Sequence, residues 1–146
     1  EGGIVIYGGS HYNITGNYID RSGRCGIALM KGKSRGCEVI SATGNVIYRS
    51  GKPEWGKGDD YDSSHVRIEG GKGVTFVANS LNAGRDDGGQ GSFSPDYGIV
   101  LKELESCVIK DNVAHYGALK ELFVDLGEHG DGVVIKDNVG TLRKIS

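Results

Sequence analysis

The phrases that decide the fold are YNITGNYI (12–19), VISATGNVI (39–47), VTFVANSL (74–81), CVIKDNVA (107–114) and VVIKDNVG (133–140). Each phrase ends two residues after an asparagine, with an apolar or small residue three positions before that asparagine and another two positions after it. Successive asparagines are 28, 34, 33 and 26 residues apart. Self-similarity at a period of 20–50 residues indicates a repeat architecture. The five asparagines are Asn17, Asn45, Asn79, Asn112 and Asn138.

A short apolar strand precedes each of these phrases. Apolar residues alternate along it, which is the periodicity of a strand rather than of a helix. Each unit therefore predicts a strand, a short turn, a second strand, an asparagine corner, a third short strand and a loop of variable length. Such a unit is one rung of a parallel β-solenoid, whose rungs bury their apolar side against their neighbours. The first strands are GIVI (3–6), GIAL (26–29), HVRI (65–68), GIVL (98–101) and ELFV (121–124).

The asparagine at each corner has two expected roles. Asparagine tolerates left-handed backbone dihedrals better than most residues, so we expect it to make the bend between two sheets. Its amide carries both donors and an acceptor. Stacked at a rung spacing of roughly 4.8 Å, such amides can bond to one another in an internal ladder.

The strand pattern G-I-V-[IL], followed by [IV]-x-x-N-x-[IV], resembles the right-handed parallel β-helix of the pectate-lyase-like superfamily, which includes pectate lyases, polygalacturonases and bacteriophage tailspikes. The resemblance spans all five rungs. It implies an all-β fold, a right-handed parallel β-helix of about five rungs that forms a single domain over residues 1–146. It also implies a polysaccharide partner, bound and cleaved by hydrolase or lyase chemistry, and an extracellular or virion-associated location.

Composition agrees with this interpretation. The 26 glycines suit the tight corners of a solenoid, because glycine adopts positive φ at little cost. A net charge of −2 gives no sign of a nucleic-acid partner, and no apolar run is long enough to cross a membrane. Three cysteines, an odd number, exclude a complete disulfide framework. A core strand begins almost at the first residue without a capping element, so we expect a segment of a longer protein.

Two insertions emerge on the same edge of the solenoid, after the asparagine corners of rungs two and three. They are SGKPEWGKGDDYDSS (50–64) and NAGRDDGGQGSFSPD (82–96). Acids beside aromatic rings suit carbohydrate chemistry, since two carboxyl groups can cleave a glycosidic bond and a flat ring can support a sugar. Two alternatives stay open: the acids are solvated turn residues, or they bind calcium as the one cofactor. The candidate catalytic residues are Asp60, Asp62, Asp86, Asp87 and Glu69, and the candidate substrate-binding residues are Trp55, Tyr61, Arg67, Phe93, Tyr97 and Lys102.

The outward face of the first sheet is the expected groove of this superfamily. By resemblance, Arg67 or Lys102 would act as the base of a β-elimination or bind an acidic sugar. The alternative is structural, with Glu69 and Lys102 on adjacent rungs forming an exposed cross-strand ion pair. In rung five, alternation predicts Leu122 and Val124 inward, and Phe123 and Asp125 outward.

The outward face of rungs one and two is mostly apolar, and it carries Val5, Tyr7, Ala28 and Met30. An exposed patch of this kind is unusual for a monomer, and a homotrimer along the rod would cover it. The sequence therefore supports a second interpretation. In it the chain is a non-catalytic structural or receptor-binding solenoid, such as part of a phage appendage or a cell-surface protein.

Overall fold

The computed structural model describes residues 2–51, 59–84 and 94–144. Within these ranges the chain forms fifteen β-strands and one 3₁₀ helix, Asp60–Asp62. None of the described residues belongs to a helix that is long and apolar enough to span a membrane.

Three parallel five-stranded sheets form the walls of a solenoid, and each rung contributes one strand to each sheet. The first sheet contains β1 (Ile4–Tyr7), β4 (Ile27–Met30), β7 (Ser64–Glu69), β10 (Tyr97–Lys102) and β13 (Glu121–Asp125). The second sheet contains β2 (Gly9–Thr15), β5 (Cys37–Thr43), β8 (Lys72–Val77), β11 (Val108–Lys110) and β14 (Val134–Lys136). The third sheet contains β3 (Tyr18–Asp20), β6 (Val46–Tyr48), β9 (Ser80–Asn82), β12 (Val113–Ala114) and β15 (Val139–Gly140).

The core lies inside the three walls and is built from residues that repeat in register. In the first sheet, Ile4 pairs with Ile27, Ile27 with Val66, and Val66 with Ile99. In the second sheet, Phe76 pairs with Ile109 and is fully buried. Because side chains alternate along a strand, the first sheet turns a second apolar column inward, which contains Leu29, Ile68 and Leu101. The five-rung parallel β-helix predicted from the repeat is confirmed.

In the fifth first-sheet strand, Leu122 packs against the core as predicted, but the predicted faces of Phe123, Val124 and Asp125 are wrong. Phe123 pairs with the inward residue Ile99, and Val124 pairs with Val100 on the outward face. Asp125 is in register with Leu101 rather than with an outward residue. Three apolar residues in succession, 122–124, make the alternation ambiguous, and a one-residue change of register moves every side chain to the other face.

The asparagine ladder is present and runs through all five rungs. In each of the first four rungs the Nδ2–H of the asparagine donates to the Oδ1 of the next one, at distances of 3.0, 2.9, 3.1 and 2.9 Å from the first pair to the last. The backbone N–H of the same asparagine donates to the same oxygen. The three central members, Asn45, Asn79 and Asn112, are buried.

The ladder asparagines do not themselves take the left-handed conformation, which corrects the expectation above. The residue before each asparagine has a φ between +57° and +68° instead. The asparagine is selected for its amide, which bonds to two neighbouring rungs, and the bend is made one residue earlier. The left-handed residues are Gly16, Gly44, Ala78, Asp111 and Asp137.

Candidate functional site

A concave groove of about 500 Å³ lies on the outward face of the first sheet, across rungs one to three. Its floor follows the register Val5–Ala28–Arg67, one residue from each of β1, β4 and β7. Tyr7 stands at one side and is 68% exposed, whereas Ala28 is only 7% exposed. The complete lining is Gly2, Val5, Tyr7, Arg24, Cys25, Ala28, Met30, Asp62 and Arg67.

Arg67 is the central charged residue of this face and is almost completely buried. Its Nη1 and Nη2 donate to the two oxygens of Asp59 at 3.0 and 2.9 Å. The second hydrogen of Nη1 reaches Asp62 Oδ1 at 2.9 Å. Nε and Nη2 both donate to Glu69 Oε1, at 3.2 and 3.0 Å. All five N–H donors of the guanidinium are therefore directed at carboxylates of this chain.

The 3₁₀ helix presents two of these carboxylates through a reciprocal cap. Asp59 accepts a hydrogen bond from the backbone N–H of Tyr61 at 2.8 Å. Its own backbone N–H donates to Asp62 Oδ2 at 3.3 Å. This is a capping box, which satisfies backbone donors at a helix start. Because Asp59 and Asp62 are the two ends of the box, Arg67 attaches the whole turn to β7.

The electrostatics of the cluster favour the ionised forms of Asp59 and Arg67. Burial raises the pKa of Asp59, but the hydrogen bonds from Arg67 and from the Tyr61 N–H outweigh it, so the pKa of Asp59 lies below its ordinary value. Burial lowers the pKa of Arg67, yet the carboxylates of Asp59 and Glu69 together raise it above its ordinary value. Three carboxylates surround one guanidinium, so the cluster carries a net negative charge.

Cys25 lies at the inner edge of the groove and is a buried free thiol. Burial raises its pKa to about 11, against the opposing hydrogen bond with Ser64. The two groups are 3.3 Å apart, Sγ to Oγ. A thiol with this pKa is protonated at neutral pH and is a poor nucleophile.

The other described candidates lie around the groove rather than in it. Tyr61 and Tyr97 pack against each other, with ring centroids 5.2 Å apart. Asp60 is exposed in the 3₁₀ helix. Lys102 forms an ion pair with Glu128 at 3.5 Å.

The predicted ion pair between Glu69 and Lys102 is wrong, because each residue has a different partner. These two residues are in register on adjacent strands, as predicted. Glu69 nevertheless binds Arg67, two residues before it on its own strand. A guanidinium is planar and offers several donors, so it engages the carboxylate more completely than a lysine on the next rung.

Four candidates, Trp55, Asp86, Asp87 and Phe93, lie outside the described residues. Among the described residues, no group of three or more His, Cys, Asp or Glu side chains is arranged to hold a metal ion. The three carboxylates near β7 converge on Arg67 instead, and the calcium alternative for Asp86 and Asp87 stays a prediction.

Sequence reasoning missed three contributors to the site. Asp59 belongs to the same DD pair as Asp60, yet only the capping box shows that Asp59 is the one turned toward Arg67. Arg24 lines the groove from the turn before β4, where no local pattern marks it. Tyr7 was expected on an apolar patch that a homotrimer would cover, and the structure shows that it lines the same groove as Arg24 and Asp62.

Comparison with known families gives one match. The family model described as "Right handed beta helix region" matches residues 1–144. No solved structure was found to match the chain.

Proposed function

The chain belongs to the right-handed β-helix family, and we propose that it binds a polysaccharide in the groove on the outward face of its first sheet. The observation that carries this proposal is the groove itself, with an exposed tyrosine and a buried charged cluster on one concave surface. Ligand sites are typically concave and largely apolar, with a few well-placed polar groups.

The groove combines the two kinds of contact that a sugar chain needs. Tyr7, Val5 and Met30 offer apolar surface to the C–H face of a sugar ring. Asp62 and Arg24 offer an acceptor and donors for its hydroxyl groups. The floor crosses three rungs, so an extended chain can lie along the solenoid with successive sugars over successive strands.

Cleavage is a separate matter from binding. A glycoside hydrolase needs one carboxyl group with a raised pKa, to protonate the leaving oxygen. Among the described carboxylates, Asp59, Asp62 and Glu69 each accept a hydrogen bond from Arg67, and at Asp59 the hydrogen bonds outweigh burial and lower the pKa rather than raise it. These residues suit binding better than acid catalysis, and hydrolysis through Asp86 or Asp87 stays a prediction.

The homotrimer predicted from the apolar patch would use the same face, because Val5, Tyr7, Ala28 and Met30 all line the groove. The concave shape of this face and its charged wall, with Asp62 and Arg67, favour a ligand over a flat contact between copies. A non-catalytic structural role is the outcome if no glycan binds.

The test compares two tyrosines of nearly equal exposure. Tyr7 lies in the groove and is 68% exposed, whereas Tyr18 lies on the third sheet and is 66% exposed. We expect the chain to bind members of a polysaccharide panel in isothermal titration, and Tyr7→Ala to weaken that binding about tenfold or more. Tyr18→Ala should bind like the unchanged protein.

Three results would contradict the proposal: absence of binding across the panel, equal effects of the two substitutions, or a stable oligomer in sedimentation that Tyr7→Ala dissociates. Reducing-sugar release and unsaturated products, measured in the same samples, report hydrolase and lyase activity independently of binding.

A further inference from the structure

We infer that the groove selects an uncharged polysaccharide over one built from uronic acids. This inference rests on the proposed function and specifies its ligand class. It follows from the charge of the groove and from how its arginines are used, and it differs from the acidic sugar that Arg67 suggests when the sequence alone is considered.

Arg67 has no N–H donor left for a ligand carboxylate. A uronate carboxylate would need free N–H donors in the groove, and a guanidinium is the best group to supply them. The five donors of Arg67 already point at Asp59, Asp62 and Glu69. A ligand carboxylate could reach Arg67 only by displacing a carboxylate of the chain, which would then be left buried without its partner.

The charged residues at and around the groove do not favour an anionic ligand. Arg67, its partners Asp59, Asp62 and Glu69, and the neighbouring Arg24 together carry three negative and two positive charges. This group, of which Asp62, Arg24 and Arg67 line the groove, is therefore negative by one unit. The segments 52–58 and 85–93 contain three basic and three acidic residues, so their formal charges cancel.

The other polar side chains of the groove also suit a neutral sugar better than an acidic one. Within ranges 2–51, 59–84 and 94–144, Arg24 has no carboxylate partner, and it is the one cation of the lining with free donors. Its side chain is exposed, so its attraction for an anion is screened by water and salt. Asp62, the carboxylate that lines the groove, is an acceptor, which suits the hydroxyl groups of a neutral sugar and repels a carboxylate.

The test uses pairs of polymers in which esterification removes the charge of the uronate carboxyl groups. Polygalacturonate is compared with its fully methyl-esterified form, and alginate with its propylene glycol ester, beside neutral glucan, galactan, mannan and xylan. We expect a neutral or esterified polymer to bind about tenfold or more tighter than any acidic one. Raising the salt concentration from about 20 mM to about 500 mM should strengthen the residual binding of the acidic polymers, because salt screens repulsion, and leave neutral binding nearly unchanged.

A matched pair of charge-removing variants tests the cause. Glu69→Gln removes one negative charge from the cluster, and Glu105→Gln removes one from an exposed pair with Lys72 outside the groove. We expect Glu69→Gln to raise the ratio of acidic to neutral affinity several-fold and Glu105→Gln to leave that ratio as it was. A ratio is used because a general loss of fold would lower both affinities together.

The outcomes separate this inference from the proposed function. Binding of polygalacturonate or alginate that is tighter than that of the matched ester, requires Tyr7 and weakens with salt would overturn the neutral preference and leave glycan binding intact. Failure of every polymer to bind would overturn both. Equal affinity ratios for the two glutamate variants would show that the cluster does not set the preference.

Discussion

Asn79 donates two hydrogen bonds to one atom of Asn112: its backbone N–H and its Nδ2–H reach Asn112 Oδ1 at 3.0 and 3.1 Å. The other hydrogen of Nδ2 reaches the carbonyl of Ala42 at 3.0 Å. One side chain therefore connects the rung before it to the rung after it. Asn79 is fully buried, so none of these bonds competes with water.

Replacement of Asn79 by alanine should lower the free energy of unfolding by about 3 kcal/mol, because each buried polar group left unpaired costs about 1–3 kcal/mol. The backbone N–H and the amide of Asn45 would both lose their acceptor. Urea denaturation measures the change. Asn13→Ala is the control, since Asn13 is exposed and bonds only to Thr15 among the described residues, and it should cost less than about 0.5 kcal/mol. A loss below about 1 kcal/mol for Asn79→Ala would show that the ladder contributes little to stability.

Two glycines separate the effect of rung spacing from that of backbone conformation. A Cβ on Gly98 would lie 2.3 Å from the carbonyl oxygen of Leu122 on the next rung, so the backbone itself would have to move. Gly44 has a φ of +65° but open space around it, and Ala78 occupies the equivalent place one rung later. Thermal unfolding should show a loss of about 2–3 kcal/mol for Gly98→Ala and about 1 kcal/mol for Gly44→Ala. Equal losses would mean that the rungs can separate freely.

Replacement of Arg67 by methionine should destabilise the protein by about 3 kcal/mol at neutral pH, because three carboxylates lose their common partner. The deficit relative to the unchanged protein should shrink as the pH falls toward about 4, where protonation removes their repulsion. In the unchanged protein, acidification has the opposite effect on stability. Because the pKa of Asp59 is lowered in the folded state, Asp59 stabilises the fold above its ordinary pKa, and this stabilisation is lost as the pH falls through the lowered value.

The control for Arg67 is Lys72→Met, which breaks an exposed pair with Glu105 at 3.7 Å and should cost less than about 1 kcal/mol at any pH. Stability curves at several pH values give both comparisons. A deficit of Arg67→Met that stays constant between neutral and acid pH would contradict the electrostatic explanation.

His65 predicts a second dependence on pH. It is completely buried, and neither ring nitrogen makes a hydrogen bond of good geometry. Burial lowers its pKa to about 3, against a small opposing effect of the Gly117 backbone. Below the ordinary pKa of 6.5, the unfolded chain takes up a proton that the folded chain excludes. Protonation of His65 should therefore lower the free energy of unfolding by about 1.4 kcal/mol for each unit by which the pH decreases from 6.5 to 3.

Replacement of His65 by leucine should remove that part of the slope. The measurement is the difference in unfolding free energy between variant and unchanged protein at each pH, because the acidic residues contribute to both equally. His11→Asn is the control, since His11 is exposed and asparagine tolerates its φ of +66°. An unchanged slope in His65→Leu would show that the buried ring is protonated in the folded state.

The repeat could be recognised from the sequence because each unit has the same local pattern of residues. Alternation marks the strands, and asparagine at one position per unit marks the corner, so the five rungs, their three strands and the ladder were all predicted. Each of these features needs only that neighbouring rungs follow the same pattern.

The predictions that were wrong concern features set by strand register or by bonds between residues far apart in the sequence. Phe123 and Val124 exchange faces because three consecutive apolar residues leave the register to be decided by pairing with β10. The left-handed bend falls on Ala78 rather than on Asn79, because the asparagine must keep its amide in the ladder. Neither outcome can be read from composition or spacing.

The sequence by itself determined a solenoid and its asparagine column. Only the tertiary structure decided that Arg67 gathers Asp59, Asp62 and Glu69, and that Tyr7 and Arg24 share a groove with them. The physical reason is that hydrophobic periodicity is encoded residue by residue, whereas a charge selects its partner by distance and burial after the chain has folded.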